Sequence, residues 1–126
     1  MHIEGMTHFP QPQAQHRAPR VQLEQPAPAS ILLEDGHHAK AKLQTVSVTG
    51  GLLRLGKALE NGDFVEVAFQ TQAGTVHGMA EMLKPLPAGP QGTLQPFRFI
   101  AMADDDHRTV RTMVELAADR GSMMSA

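Results

Sequence analysis

Apolar and polar residues alternate along much of the chain after residue 29, and this period of two is that of a β-strand. Ala39, Ala41 and Leu43 alternate with lysine and glutamine. The alternation slips by one residue before Val46, and a slip of that kind predicts a β-bulge near Thr45. Shorter apolar runs predict the remaining strands at 31–33, 52–55, 65–69, 76–82 and 94–102.

Turn signals separate these runs, and a helical pattern follows the last of them. Asn61-Gly62 is a strong turn signal, and 85–92 holds three prolines and two glycines, which predicts a loop. The aspartates at 104–106 provide an N-cap and place negative charge where the helix dipole favours it. We expect the helix to end at Gly121. Its apolar stripe, at spacings of three and four, is formed by Val110, Met113, Val114 and Ala117.

The order of these elements predicts the fold class. Six short strands followed by one helix predict a mainly β protein, a six-stranded antiparallel barrel whose opening is covered by the C-terminal helix. A length of 126 residues suits a single domain. We expect a flexible, proline- and glutamine-rich arm at 1–28, the barrel and helix at 29–120, and a flexible tail at 121–126.

The composition narrows the possible functions. The chain has five Phe but no Trp or Tyr, so its core must be largely aliphatic. A net charge of −2 argues against binding to long nucleic acids or to anionic membranes. The absence of cysteine excludes disulfides, thiol nucleophiles and cysteine-based zinc sites. No apolar run approaches the length of a membrane span, so we expect no membrane insertion and a cytoplasmic protein.

Two segments carry candidate chemistry. The first is His16-Arg17-Ala18-Pro19-Arg20, where two arginines lie three residues apart just before the predicted barrel. Arginine makes bidentate contacts to phosphate and stacks on bases. The simpler interpretation, two solvated side chains in a polar tail, stays open.

The second segment is 45–52, where hydroxyl residues and glycines interrupt an apolar strand pair. Ser47 can donate or accept a hydrogen bond at the strand surface. Gly50 and Gly51 permit a bulge and a close approach of the backbone to a ligand. An ordinary turn between two strands explains the same residues.

Taken in order, the two segments resemble the PilZ family, whose pattern is Arg-x-x-x-Arg followed by (Asp/Asn)-x-Ser-x-x-Gly. Arg20 matches the second arginine, while His16 stands in the place of the first and has Arg17 beside it. Ser47 and Gly50 match the second motif.

The chain departs from this pattern at Thr45, which stands where the family has an acidic or amide residue. Beyond the motifs, the resemblance continues through Gly51-Leu52 and ends in a Phe97-Arg98-Phe99 strand running into the helix.

The resemblance implies a six-stranded barrel with a terminal helix and a cytoplasmic bacterial receptor for cyclic di-GMP (c-di-GMP) that passes its signal to a protein effector. It implies no cofactor and no metal. The ligand-binding residues that it implies are His16, Arg17, Arg20, Thr45, Ser47 and Gly50.

Two alternatives to a receptor remain. A PilZ-like domain that has lost nucleotide binding could act as a protein-interaction module through its helix or a strand edge. The other alternative is an unrelated small barrel whose motifs match the PilZ pattern by chance. An enzyme is not expected, because the sequence contains no nucleophile–base constellation and no phosphate-cradling glycine loop. The adjacent His37 and His38 are expected to be solvated in a turn rather than to bind a metal, which needs about four convergent ligands.

Overall fold

The computed structural model describes residues 6–8 and 19–124, with side chains from 19 to 119. Seven strands and one helix follow one another along the chain. They are β1 (Met6–His8), β2 (Val21–Leu32), β3 (His38–Ser47), β4 (Gly50–Leu55), β5 (Phe64–Thr71), β6 (Gly74–Met82), β7 (Thr93–Ala103) and α1 (Asp104–Met124).

Six of the strands form a closed antiparallel barrel, as the sequence predicts. The strand order is β7-β4-β3-β2-β5-β6, and a further pairing of β6 with β7 closes the ring. Strand β1 lies outside this ring and pairs antiparallel with the end of β7, where Met6 faces Ala103. Closure satisfies the strand edges that an open sheet would leave unpaired.

The core occupies the barrel interior and is built by the alternation seen in the sequence. Its centre is a group of three phenylalanines, Phe69, Phe97 and Phe99. The Phe97 and Phe99 rings meet edge to face with centroids 5.2 Å apart, and the Phe69 and Phe99 centroids are 6.4 Å apart. This arrangement is one that aromatic pairs prefer. Aliphatic and methionine side chains fill the remaining space.

The barrel begins earlier than the boundary at residue 29 that we predicted. Strand β2 starts at Val21, inside the segment assigned to a flexible arm, because Val21 and Leu23 alternate with polar residues. The pairing of β2 with β3 shifts its register between Gln22 and Ala27. A bulge of this kind accepts proline, which cannot donate to a strand ladder, so Pro26 does not end the strand.

The bulge predicted near Thr45 is present. Leu43 pairs with Leu53, but Thr45 pairs with Leu52, so β3 has one residue more than β4 at this point. The predicted turn at Gly62 is also present, with a φ of 98° that favours glycine.

The helix starts at Asp104, as predicted, and carries its three aspartates in the first turn. Val110 and Val114 are buried in the barrel core, and Met113 packs against it. The helix ends later than predicted, at Met124 rather than Gly121. One glycine weakens a helix by only about 1 kcal/mol, which is not enough to end it.

Candidate functional site

Strand pairing places the candidate residues in one row across the barrel wall, which we call the outer row. Ser47 on β3 pairs with Gly50 on β4, and Gly50 pairs with Arg98 on β7. Val21 pairs with Val46, so Arg20, which precedes Val21, lies level with Ser47. Adjacent strands are about 4.8 Å apart, so the row spans about 14 Å.

Ser47 is engaged mainly within its own turn. Its hydroxyl accepts a hydrogen bond from the Thr49 backbone N–H at 3.2 Å and donates to the Gly50 carbonyl at 3.4 Å. The Thr49 hydroxyl lies 3.1 Å from it. The residue is only 3% exposed. Because a hydroxyl has one donor and two acceptor positions, at most one acceptor position is left for a ligand.

The two glycines are required by the protein's own backbone. A Cβ on Gly50 would lie 2.2 Å from the Phe97 carbonyl oxygen on β7, and one on Gly51 would lie 2.5 Å from the Thr45 carbonyl oxygen. Side chains at these positions would force the strands apart. The close approach that the sequence suggested is therefore an approach between β4 and its neighbours.

Thr45 lies at the bulge, between Gln22 on β2 and Leu52 on β4. Its Oγ1 is buried and has no hydrogen-bond partner among the described residues. A buried hydroxyl left without a partner costs about 1–3 kcal/mol. A ligand group that reached this atom would remove that cost.

Arg20 is exposed just before β2 begins. His16 and Arg17 lie outside the described residues. Four of the six predicted binding residues are therefore gathered near one stretch of the barrel wall, and the structure is silent on the other two.

Solved structures share this architecture. The chain superposes on the PilZ domain of YcgR from Escherichia coli with c-di-GMP at a TM-score of 0.65, with 19% identity over 88% of this chain and 97% of that one. The superposition covers most of both chains, and it supports a closed antiparallel barrel with a C-terminal helix. The chain has the fold of a PilZ domain.

Two longer proteins contain the same PilZ fold. YcgR from Escherichia coli in complex with c-di-GMP matches with a TM-score of 0.70 and 18% identity, over 88% of this chain and 49% of YcgR. The inhibitor of motility MotI/DgrA from Bacillus subtilis matches with a TM-score of 0.65 and 12% identity, over 84% of this chain and 52% of MotI. The chain thus spans about half of each. No protein-family model and no curated protein matches the sequence.

One residue of the outer row was missed in the sequence. Arg98 lies between the inward-facing Phe97 and Phe99, so its side chain faces outward, beside Gly50. Its Nε donates to Glu81 Oε1 at 2.5 Å. The alternation of β7 predicts only that Arg98 faces outward, because a residue between two core positions of a strand must face the other side.

A groove of this PilZ-like domain lies between β2 and α1. It is a groove of about 630 Å³ with an apolar wall that includes Leu23, Pro26, Met113 and Leu116. Leu116 is 48% exposed there. No residue of the outer row lines this groove, although Gln22, which pairs with Thr45, does.

His37 and His38 are both exposed where β3 begins. His37 is held in an exposed turn by Asp35, whose carboxylate lies 2.9 Å from its Nδ1. That hydrogen bond raises the pKa of His37 above its ordinary value of 6.5. Over residues 6–8 and 19–124, no group of three or more histidine, aspartate or glutamate side chains is arranged to hold a metal ion.

The helix α1 is not long and apolar enough to cross a membrane, and no other helix occurs in the described ranges.

Proposed function

We propose that this protein is a small cytoplasmic receptor for cyclic di-GMP that signals to a protein effector. The observation that carries the proposal is the outer row, which gathers Arg20, Ser47 and Gly50 on one wall of a PilZ fold. The solved structure of YcgR, which shares that fold, holds c-di-GMP. The function proposed is binding, not catalysis.

The chemistry of the wall suits such a ligand. Cyclic di-GMP offers two phosphates and two guanine bases, and Arg20 supplies a guanidinium that can grip a phosphate or a guanine edge with two parallel hydrogen bonds. Thr45 supplies a buried hydroxyl without a partner. Arg17 and His16 belong to the proposal as further contacts from the preceding segment.

Binding through residues that precede the barrel would also provide the signal. Contacts of Arg17 and Arg20 with a ligand would fix the chain in front of β2 against the barrel wall, and this would alter the surface that a protein effector meets.

Calorimetric titration of cyclic di-GMP into the full chain tests the proposal. We expect saturable binding, weakened by about tenfold to a hundredfold in Arg20→Ala because a charged hydrogen-bond partner is lost. Arg111→Ala, which removes an equally exposed arginine from the helix, is the matched control and should bind as the wild type does. The absence of heat and of a thermal shift at high micromolar nucleotide would contradict the proposal.

The alternative function is protein interaction without nucleotide binding. The groove between β2 and α1 favours it, because Leu116 and its apolar neighbours present a concave surface to a partner side chain. The same titration separates the two functions, since only the receptor binds the nucleotide.

A further inference from the structure

We infer that Arg98 is a further guanidinium of the nucleotide site, placed at the opposite end of the outer row from Arg20 and restrained by Glu81 until a phosphate competes for it. This inference rests on the proposed function. Nothing in the two sequence motifs includes Arg98, and it reaches the site only through the pairing of β7 with β4.

The outer row shows why Arg98 can take part. Its neighbour Gly50 has no side chain, so no side chain separates Ser47 from Arg98 across β4. Two strand spacings make that gap about 10 Å wide. Arg20 stands at the far end of the row, beyond Ser47. A ligand with two phosphates, laid along the row, would therefore have a guanidinium at each end.

The hydrogen bonding of Arg98 leaves part of its guanidinium available. Its Nε–H is donated to Glu81, and no other hydrogen bond of this side chain occurs within the described residues. Arginine has five N–H donors, so both Nη groups can still face a phosphate. The Arg98 side chain is 28% exposed and that of Glu81 is 22% exposed, which keeps both groups within reach of solvent and ligand.

Glu81 opposes nucleotide binding in this arrangement. Its carboxylate is an anion beside the phosphate position, and it competes for the same guanidinium. Removing the Glu81 charge should therefore tighten nucleotide binding, whereas removing the Arg98 charge should weaken it.

An ion pair that only holds β6 to β7 would behave differently. Arg98→Gln and Glu81→Gln each break the same pair, so a purely structural pair predicts that both substitutions change nucleotide affinity in the same direction or not at all. The opposite signs of the two effects are what distinguish a ligand contact from a structural one.

The experiment is calorimetric titration of cyclic di-GMP into the full chain of the wild type, Arg98→Gln and Glu81→Gln. Glu115→Gln, which removes an exposed carboxylate from α1, is the control for net charge. We expect about a tenfold loss of affinity in Arg98→Gln. We expect a gain in Glu81→Gln and no change in Glu115→Gln.

Thermal unfolding of each variant, followed by circular dichroism, confirms that it is folded at the titration temperature. Arg98→Lys keeps the charge but not the planar guanidinium. Its affinity for cyclic di-GMP should lie between those of the wild type and Arg98→Gln.

Three results would overturn the inference, and they have different meanings. If the wild type binds and Arg98→Gln binds equally well, the inference fails and the proposed function stands. The same holds if Arg98→Gln and Glu81→Gln shift the affinity in one direction. If the wild type gives no heat, the inference and the proposed function fail together.

Discussion

The hairpins β3–β4 and β5–β6 contain the same turn chemistry in different surroundings. In the first, the Ser47 hydroxyl accepts from the N–H two residues on and donates to the Gly50 carbonyl. In the second, the Thr71 hydroxyl accepts from the Ala73 N–H at 3.0 Å and donates to the Gly74 carbonyl at 2.7 Å. A hydroxyl residue followed three positions later by glycine is thus a turn device in both.

The two hairpins differ in their strand register and in the surroundings of their glycines. The β5–β6 register is unbroken from Phe64 to Thr71, and a Cβ on Gly74 would meet open space. The β3–β4 hairpin carries a bulge, and Gly50 lies against the backbone of β7. A serine and a glycine at this spacing therefore do not indicate a binding site by themselves. The first hairpin differs from the second in its bulge and in its contact with β7.

The largest expected difference between the hairpins is in stability. Gly50→Ala would drive a methyl group into the β7 backbone and should lower the free energy of unfolding by about 3 kcal/mol or more. The methyl group of Gly74→Ala would meet no atom, but the alanine must adopt a φ of 129°. This strain should lower the free energy of unfolding by about 1 kcal/mol. Equilibrium unfolding in urea measures both. Equal losses of unfolding free energy in the two variants would contradict the close contact of Gly50 with the β7 backbone.

The next effect concerns the bulge, which only the first hairpin has. Thr45→Asp places a carboxylate where a ligand would meet the buried hydroxyl, and we expect cyclic di-GMP to bind about tenfold more tightly. The unliganded variant should melt at a lower temperature, because the new charge is partly buried without a partner. Thr75→Asp on β6 is the matched control and should leave the affinity unchanged. Calorimetry and thermal melts check the two expectations.

A smaller effect separates the two turn hydroxyls. Ser47→Ala and Thr71→Ala each remove a hydroxyl that accepts one turn hydrogen bond and donates another, and each should cost about 1 kcal/mol of stability. Only Ser47→Ala should also weaken nucleotide binding, by about fivefold, since one neutral acceptor is lost. If both variants bind the nucleotide as the wild type does, Ser47 acts only in its turn.

The smallest effect belongs to a third turn, between β2 and β3, where His37 and Asp35 form an exposed pair. Their hydrogen bond raises the pKa of His37 and lowers the pKa of Asp35 from its ordinary value of 3.8. The contribution of His37 to folding stability is full below pH 6.5 and is lost as the pH rises through its folded-state pKa. The contribution of Asp35 to folding stability is present above pH 3.8 and is lost as the pH falls through the folded-state pKa of Asp35.

An NMR titration measures the pKa of His37 directly. We expect a value above 6.5 that returns to 6.5 in Asp35→Asn. An unchanged value in that variant would contradict the assigned cause.

The barrel was predictable from the sequence because its strands obey local rules. The alternation of Ala39, Ala41 and Leu43, and its slip before Val46, located both β3 and its bulge. The start of β2 was missed although Val21 and Leu23 obey the same alternation, because the proline at 26 predicts a break in the strand. The bulged register on β3 explains how Pro26 fits within the strand.

The site was less predictable than the fold. Its motifs identified Ser47 and Gly50, but their hydrogen bonds and packing serve the hairpin first. Arg98 joins the row through pairing with a residue 48 positions earlier in the chain, at Gly50. Such a contact depends on the closed topology, and no local pattern contains it.

Strand β7 has a consequence for how the molecule is made. It pairs with β4, β6 and β1, and it follows all three along the chain. Until β7 has been synthesised, β4 and β6 have unpaired edges, which is the condition under which nascent β proteins associate wrongly. Arg98 lies on this strand too, so closure of the barrel and completion of the proposed nucleotide site both wait for the synthesis of β7.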